Sequence, residues 1–300
     1  MKSLPMFGLL SALAAGCLIP VTQAQEPTKQ QPGALMKPSD GLRVALGQLD
    51  ALQQPDGSWA GEPRATALAL LAYTGDGNTL MAGPYRDQVR KGFTWLVGQA
   101  GEGFDLGGGD PKAHAICTGA LADCALFSTM PKANLVLAKA LDHLATLDVT
   151  ASPELLTWSS LAAATARDAK VRVPKALGLA LDKALVQRPK EDHALAGACL
   201  AHARWLGKQA PEAWIEALDG SSLPGRLTDE QLAFRFYAHF QISAKTWKAW
   251  FRRLLPIAWK RMQAAIGPGE NATADQVESL ALAASGIESA YRLKRVGEGE

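Results

Sequence analysis

From Asp40 onward, apolar residues in this chain return every three or four positions, the spacing of helices with one buried face. No stretch combines Val, Ile, Thr and aromatic residues at a period of two, so the pattern predicts no strands. Helices are predicted over residues 41–53, 64–74, 84–98, 113–128, 132–146, 153–169, 174–187, 191–206, 210–218, 228–242, 244–263 and 274–293. Phrases rich in Pro, Gly and Asp separate them, among them "QPDG", "GEGFDLGGGDP" and "SSLPGR".

Twelve helices make six pairs whose members differ in character. "AHAICTGALADCALFST" and "DHALAGACLAHARWL" are small and apolar all round, which marks buried helices. "YRDQVRKGFTWLVGQ" and "PKALGLALDKALVQ" carry charge on one face, which marks an outer layer. "DEQLAFRFYAHFQIS" takes an inner place by order but is bulkier and more polar. Alternation of inner and outer helices is a repeat signature. It predicts an all-α domain over residues 40–293, closed as an α/α toroid with inner and outer rings; an open solenoid or irregular bundle is the alternative.

The N-terminus adds a destination. "MKSLPMFGLLSALAAGCLIPVTQAQEP" has a charged start, a short apolar run and small residues near Ala24, the layout of an export signal. Residues 1–24 are therefore expected to be removed, leaving a periplasmic or secreted protein. Residues 25–39 form a proline-rich linker and residues 294–300 a short tail. "LAAGC" offers a second reading, a lipoprotein signal with lipidation at Cys17, although Ala14 stands where such signals carry Leu.

Charge excludes one class of partner. The chain carries 31 basic and 29 acidic residues; losing Lys2 leaves 30 against 29, a net +1. That balance argues against a nucleic-acid footprint. "KTWKAWFRRLLPIAWKRMQ" concentrates basic residues on a helical period, read as a solvated face rather than a membrane contact. Membrane association is expected only through lipid at Cys17. Cys117, Cys124 and Cys199 would remain after cleavage, an odd number that makes no disulfide framework.

One phrase is unexpected for a simple turn. In "QQPDGSW", Gln53, Gly57 and Trp59 resemble the QW repeat of the squalene–hopene cyclase and prenyltransferase superfamily, and Arg43 and Leu49 suit it. "KGFTWLVGQAGEGF" is a weaker copy, with Trp95, Gln99 and Gly103. Later segments, such as "LLTWSSLAAATARDAKVRVP", are similar to secreted planctomycete-type repeat proteins. The resemblance spans about residues 40 to 293. It implies the α/α toroid, in which the repeat ties one helix pair to the next. The Gln amide is expected to bond free carbonyls at a helix C-terminus, and the Trp to cover the joint.

The family's chemistry is not visible beside its fold. The acidic Asp-x-Asp-Asp cluster of the cyclases is absent, as is Asp-Asp-x-x-Asp for magnesium and diphosphate. His114-x-x-Cys117 and Cys199-x-x-His202 place ligand types on one helix face, but at different depths along their helices, so no metal site is assigned. No cofactor is implied. Polar residues do open the inner helices, and parallel inner helices would gather them at one mouth, although helix capping also favours such residues there. His114, Glu154, Trp158, Asp192, His193 and Glu230 are the candidate mouth or ligand-binding residues.

The expected function is non-catalytic binding or scaffolding, with an apolar small molecule or a protein as partner. A terpenoid-cyclase-like or prenyl-ligand enzyme, and a carbohydrate-active toroid enzyme, are the alternatives. An open apolar cavity with aromatic walls and a buried carboxylic acid would favour the cyclase. A polar cleft with two facing carboxylates would favour glycan chemistry.

Overall fold

The computed structural model describes residues 38–128, 130–221, 227–242, 244–265 and 272–292. The expected export signal, Cys17, the linker up to residue 37 and the tail over 294–300 lie outside the described residues. The described residues form twelve α-helices and no strand. These are α1 (Pro38–Leu52), α2 (Pro63–Gly75), α3 (Arg86–Gly98), α4 (Pro111–Leu126), α5 (Pro131–Leu144) and α6 (Pro153–Asp168). They continue as α7 (Lys175–Ala184), α8 (Leu195–Leu206), α9 (Glu212–Gly220), α10 (Asp229–Ile242), α11 (Ala244–Ala265) and α12 (Ala274–Arg292). Among the described residues, no helix is long and apolar enough to cross a membrane.

The helix starts follow local chemistry. Pro63, Pro111, Pro131 and Pro153 each open a helix, where a missing N–H costs nothing. Asp110 and Ser152 cap α4 and α6 by accepting the N–H of Lys112 and of Leu155. α7 and α8 depart from expectation. α7 stops at Ala184, and α8 begins at Leu195 after a 3-10 turn, Asp192–Ala194.

The even-numbered helices pack on one another in chain order: α2 on α4, α4 on α6, α6 on α8, α8 on α10, α10 on α12, and α12 on α2. Among the odd-numbered helices, α3 packs on α2 and α4, α5 on α4 and α6, α7 on α6, and α9 on α8. α11 packs on α10 and α12, and α1 joins α12, α2 and α11. Burial matches this division. Every residue from Ala65 to Thr74 on α2 and from Ala113 to Ala125 on α4 is buried. On α7 only Leu177 and Leu181 are. Cys117, Cys124 and Cys199 are buried free thiols, and burial pushes Cys124 and Cys199 up to about 12.

The joint between α1, α2 and α3 differs from the expected bonding. Gln53 donates to the carbonyls of Gly57 in the turn and Gln88 in α3, both at 3.0 Å, not to a helix C-terminus. That role belongs to Trp59, whose indole Nε1–H donates to Leu49 O at 2.6 Å, in the last turn of α1. Trp59 is fully buried, and its backbone N–H donates to Thr66 Oγ1. Trp95, from the weaker repeat copy, donates to Asp56 of the same turn at 3.1 Å.

Gly57 has φ +97°, and a Cβ there would lie 2.7 Å from Lys91 O. Gly57→Ala is therefore expected to cost about 2–4 kcal/mol, combining left-handed backbone strain with a backbone clash. Gly61→Ala, at φ +68° with nothing within 4 Å, isolates the strain alone and should cost about 1–2 kcal/mol. Urea unfolding of the two variants separates the contributions. Equal losses would mean that the Lys91 contact relaxes away.

Two ionisable groups sit in the interior without full hydrogen bonding among the described residues. Arg235 on α10 has Nε and Nη1 unpartnered among the described residues, with its guanidinium 5.6 Å from the Trp250 ring. Glu288 on α12 is fully buried, beside Leu42, Gly75 and Asp76, and neither carboxyl oxygen has a partner among the described residues. Burial pushes its pKa well above the ordinary carboxyl range, and Asp76 adds to the effect.

Candidate functional site

At the N-terminal ends of the even-numbered helices, five of them meet in one charged cluster. Glu230, the second residue of α10, is the hub. It accepts from Arg64 of α2 at 3.4 Å, from the Trp158 indole of α6 at 3.1 Å and from Lys112 of α4 at 3.0 Å. Arg64 also lies 3.1 Å from Glu278 of α12. Glu278 is raised above its ordinary value by burial, against the pull of Arg64. Gln231 reaches Glu154 of α6 at 3.5 Å beside the cluster.

Cations at the second position of a helix oppose the helix dipole. Arg64 and Lys112 are held there by the buried Glu230 carboxylate, a charge-assisted arrangement that outweighs the dipole term. The sequence pattern could single out Glu230, but Lys112 gave no signal except its unfavourable place in the first turn.

Of the candidate residues, Glu154, Trp158 and Glu230 come together at this end. Asp192 and His193 do not: the 3-10 turn before α8 leaves both in solvent, with the Asp192 side chain 83% exposed and 4.0 Å from Arg188. His114 is fully buried and turns away from the cluster towards α5. Its Nε2 is 3.0 Å from Ala140 O, and its Nδ1 accepts the Leu106 N–H at 3.1 Å. Burial holds its pKa below the ordinary histidine value.

Beyond the Trp158 indole lies a cavity of about 250 Å³, lined from all six even-numbered helices. Its deeper wall is apolar: Leu71, Trp158, Leu161, Leu200, Ala233 and Leu282. Polar groups come from later helical turns: Asp123, Thr165, Tyr237 and Ser285. Phe127, Asp168 and Arg204 form the rim at the C-terminal ends, where Phe127 is 46% exposed. Arg204 and Asp168 are paired at 2.9 Å.

Asp123 is the buried carboxyl of the wall, and Thr74 of α2 donates to it at 3.0 Å. Burial raises the Tyr237 phenol above its ordinary value. The arrangement suits an elongated apolar molecule with a hydrogen-bonding end: apolar surface deep, polar groups near the rim. Asp123 lies away from the polar helix starts, and its neighbours in "GALADCALF" are almost all apolar. An acid there was the available signal, since a carboxyl is rarely buried without purpose.

No family model, curated protein or solved structure matches this chain.

Proposed function

We propose that the chain is an exported binding protein with an α/α-toroid architecture, similar to QW-repeat proteins, that holds a small apolar molecule in its central cavity. The observation carrying this reading is the apolar cavity lined by all six even-numbered helices. Closure into a ring is supported by the contact of α12 with α2, which an open solenoid would lack. The buried Trp59 joint supports the repeat resemblance. Export with cleavage after Ala24, or lipidation at Cys17, belongs to the same proposal.

Cavity size bounds the ligand. An apolar cavity of about 150 Å³ admits benzene, and drug-sized ligands occupy pockets from about 300 Å³ upward. At about 250 Å³, scaling from benzene gives a molecule of roughly ten carbons. A short isoprenoid or acyl chain fits this volume and a whole triterpene does not.

Gly119 offers the direct test. It lines the cavity from α4, and a Cβ there would meet only Ala162 Cβ, at 3.9 Å. Gly119→Leu is expected to fold, since losing a helical glycine gains about 1 kcal/mol of propensity, and to fill the cavity. Native mass spectrometry and solvent extraction of protein purified from its own cell envelope should recover an apolar molecule from the wild type and none from the variant. Equal recovery from both, or none from the wild type, refutes the binding site.

Asp123 favours a second reading, a cyclase-like enzyme in which this carboxyl protonates the bound ligand. Incubating wild-type protein and Asp123→Asn with short isoprenoids, with products read by gas chromatography–mass spectrometry, separates the two. Product from the wild type alone supports catalysis; unchanged ligand with both supports binding. The largely apolar wall disfavours a glycan-cleaving site.

A further inference from the structure

The glycine-rich loop between α3 and α4 brings together a constellation that the cavity does not use. Asp105 of this loop, His114 of α4 and His143 of α5 converge at the loop's contact with the two helices. Asp105 Oδ1 lies 3.6 Å from His114 Nδ1 and 3.9 Å from His143 Nε2. One ligand atom from each residue lies within 4.8 Å of the others. The two imidazoles meet edge to face at 4.6 Å.

These separations are too long for hydrogen bonds, which end near 3.2 Å. The two carboxylate–imidazole separations are within about 0.6 Å of what a shared ion would impose. With metal–ligand bonds of about 2.0–2.1 Å, ligand atoms around a tetrahedral ion sit about 3.3 Å apart. Asp105 Oδ1 thus stands near both imidazole nitrogens without bonding either.

Their outer contacts are those that orient ligands. A metal-binding histidine usually donates its other ring N–H to a carbonyl or carboxylate. His114 has Ala140 O 3.0 Å from Nε2, which fixes the ring N–H there and leaves Nδ1, 3.6 Å from Asp105 Oδ1, as the nitrogen with a lone pair. The Asp105 carboxylate is fixed by the N–H groups of Gly107 at 2.7 Å and Gly109 at 2.6 Å. Phe104, next to Asp105, has φ +69°, a conformation costly for an aromatic residue and one that clusters at functional sites. The side chains of Asp105 and His143 are 21% and 20% exposed, so solvent reaches the point between them. An ion would replace one existing bond, from Leu106 N–H to His114 Nδ1.

We propose that Asp105, His114 and His143 form a binding site for a divalent transition-metal ion of the zinc class, with water completing its shell. Two imidazoles and one carboxylate suit zinc, cobalt or nickel rather than calcium or magnesium, which prefer all-oxygen sites. The site lies outside the ring centre; it takes His114 from one of the His/Cys pairs visible in the sequence but neither pair's cysteine.

The test is titration of untagged, metal-stripped full-length protein with Zn²⁺ by calorimetry and with Co²⁺ by visible absorption. One equivalent should bind, with the intense d–d bands of a low-coordinate cobalt site, and Zn²⁺ should raise the melting temperature. His143→Ala, at a partly exposed position, should keep the metal-free melting temperature. It should lose more affinity than the roughly 100-fold that removing an outer-shell contact costs. Asp105→Asn should also weaken binding, while His193→Ala, an exposed histidine elsewhere, should leave it unchanged. Binding that survives in His143→Ala, or no binding by the wild type, overturns the assignment.

Discussion

Trp59→Ala is expected to lower stability by about 3–5 kcal/mol, the usual range for deleting a buried tryptophan. Small domains hold only about 5–15 kcal/mol in total, so this one change removes a large part of the margin. The indole is fully buried and packs near Tyr73 at 5.8 Å between centroids. It stands where Gly92 leaves room: a Cβ on Gly92 would lie 2.7 Å from the Trp59 ring. Deletion would open a cavity between α1, α2 and α3 and leave the Leu49 carbonyl without its donor. Trp59→Phe restores most of the volume but not the N–H, and should cost about 1–3 kcal/mol, the penalty for an unsatisfied buried carbonyl. Urea unfolding gives both numbers. A Trp59→Ala loss below about 1 kcal/mol, the size of an exposed-site change, would show that the joint contributes little.

Glu288→Met is expected to act in the opposite direction, and in a pH-dependent way. The folded-state pKa of Glu288 lies well above the 4.5 of an exposed glutamate. Below pH 4.5 the carboxyl is protonated in both states and contributes no pH dependence. Above it, the unfolded chain ionises while the folded chain keeps the proton, so folding takes up a proton and stability falls as pH rises. The fall continues to the folded pKa, at about 1.4 kcal/mol per pH unit while only the unfolded state is ionised. Methionine has similar length and no charge to bury. The variant should match the wild type within packing differences near pH 4. At pH 8 it should be more stable by about 1–4 kcal/mol, the gain seen when apolar residues replace buried ionic groups. A difference between variant and wild type that stays constant from pH 4 to 8 would mean that Glu288 titrates normally.

Much of the helical organisation is legible in the sequence because it rests on periodicity and punctuation. Each of the twelve predicted segments corresponds to a helix, and the division into buried and charged-faced members follows from composition. Where the reading failed, the missing quantity was direction or distance across the fold. Its height on α4 alone places His114 at the mouth. At 100° per residue, Asp123, nine positions on, lies about half a turn away. Since Asp123 faces the cavity, His114 has to face outward. The polar pair Asp192 and His193 reads as a helix start, but a 3-10 turn there delays α8 by one turn. Asp105 and His143 belong to elements whose approach depends on how the loop bends at Gly103 and Phe104, and no local pattern encodes that.

The contact between α2 and α12 also bears on when the chain can fold. Gly75 ends one of these helices and Ala274 begins the other, nearly two hundred residues later. An open helical repeat can fold from any point, because each unit needs only its neighbours. Here α2 and α12 pack on one another, so this distant pairing must form before the structure is complete. Such long-range closure slows folding. A chain emerging N-terminus first from the ribosome holds α2 with one flank uncovered until its final helix arrives. That delay would keep the polypeptide loose during synthesis and commit it to its final form only once the last helix is free to dock.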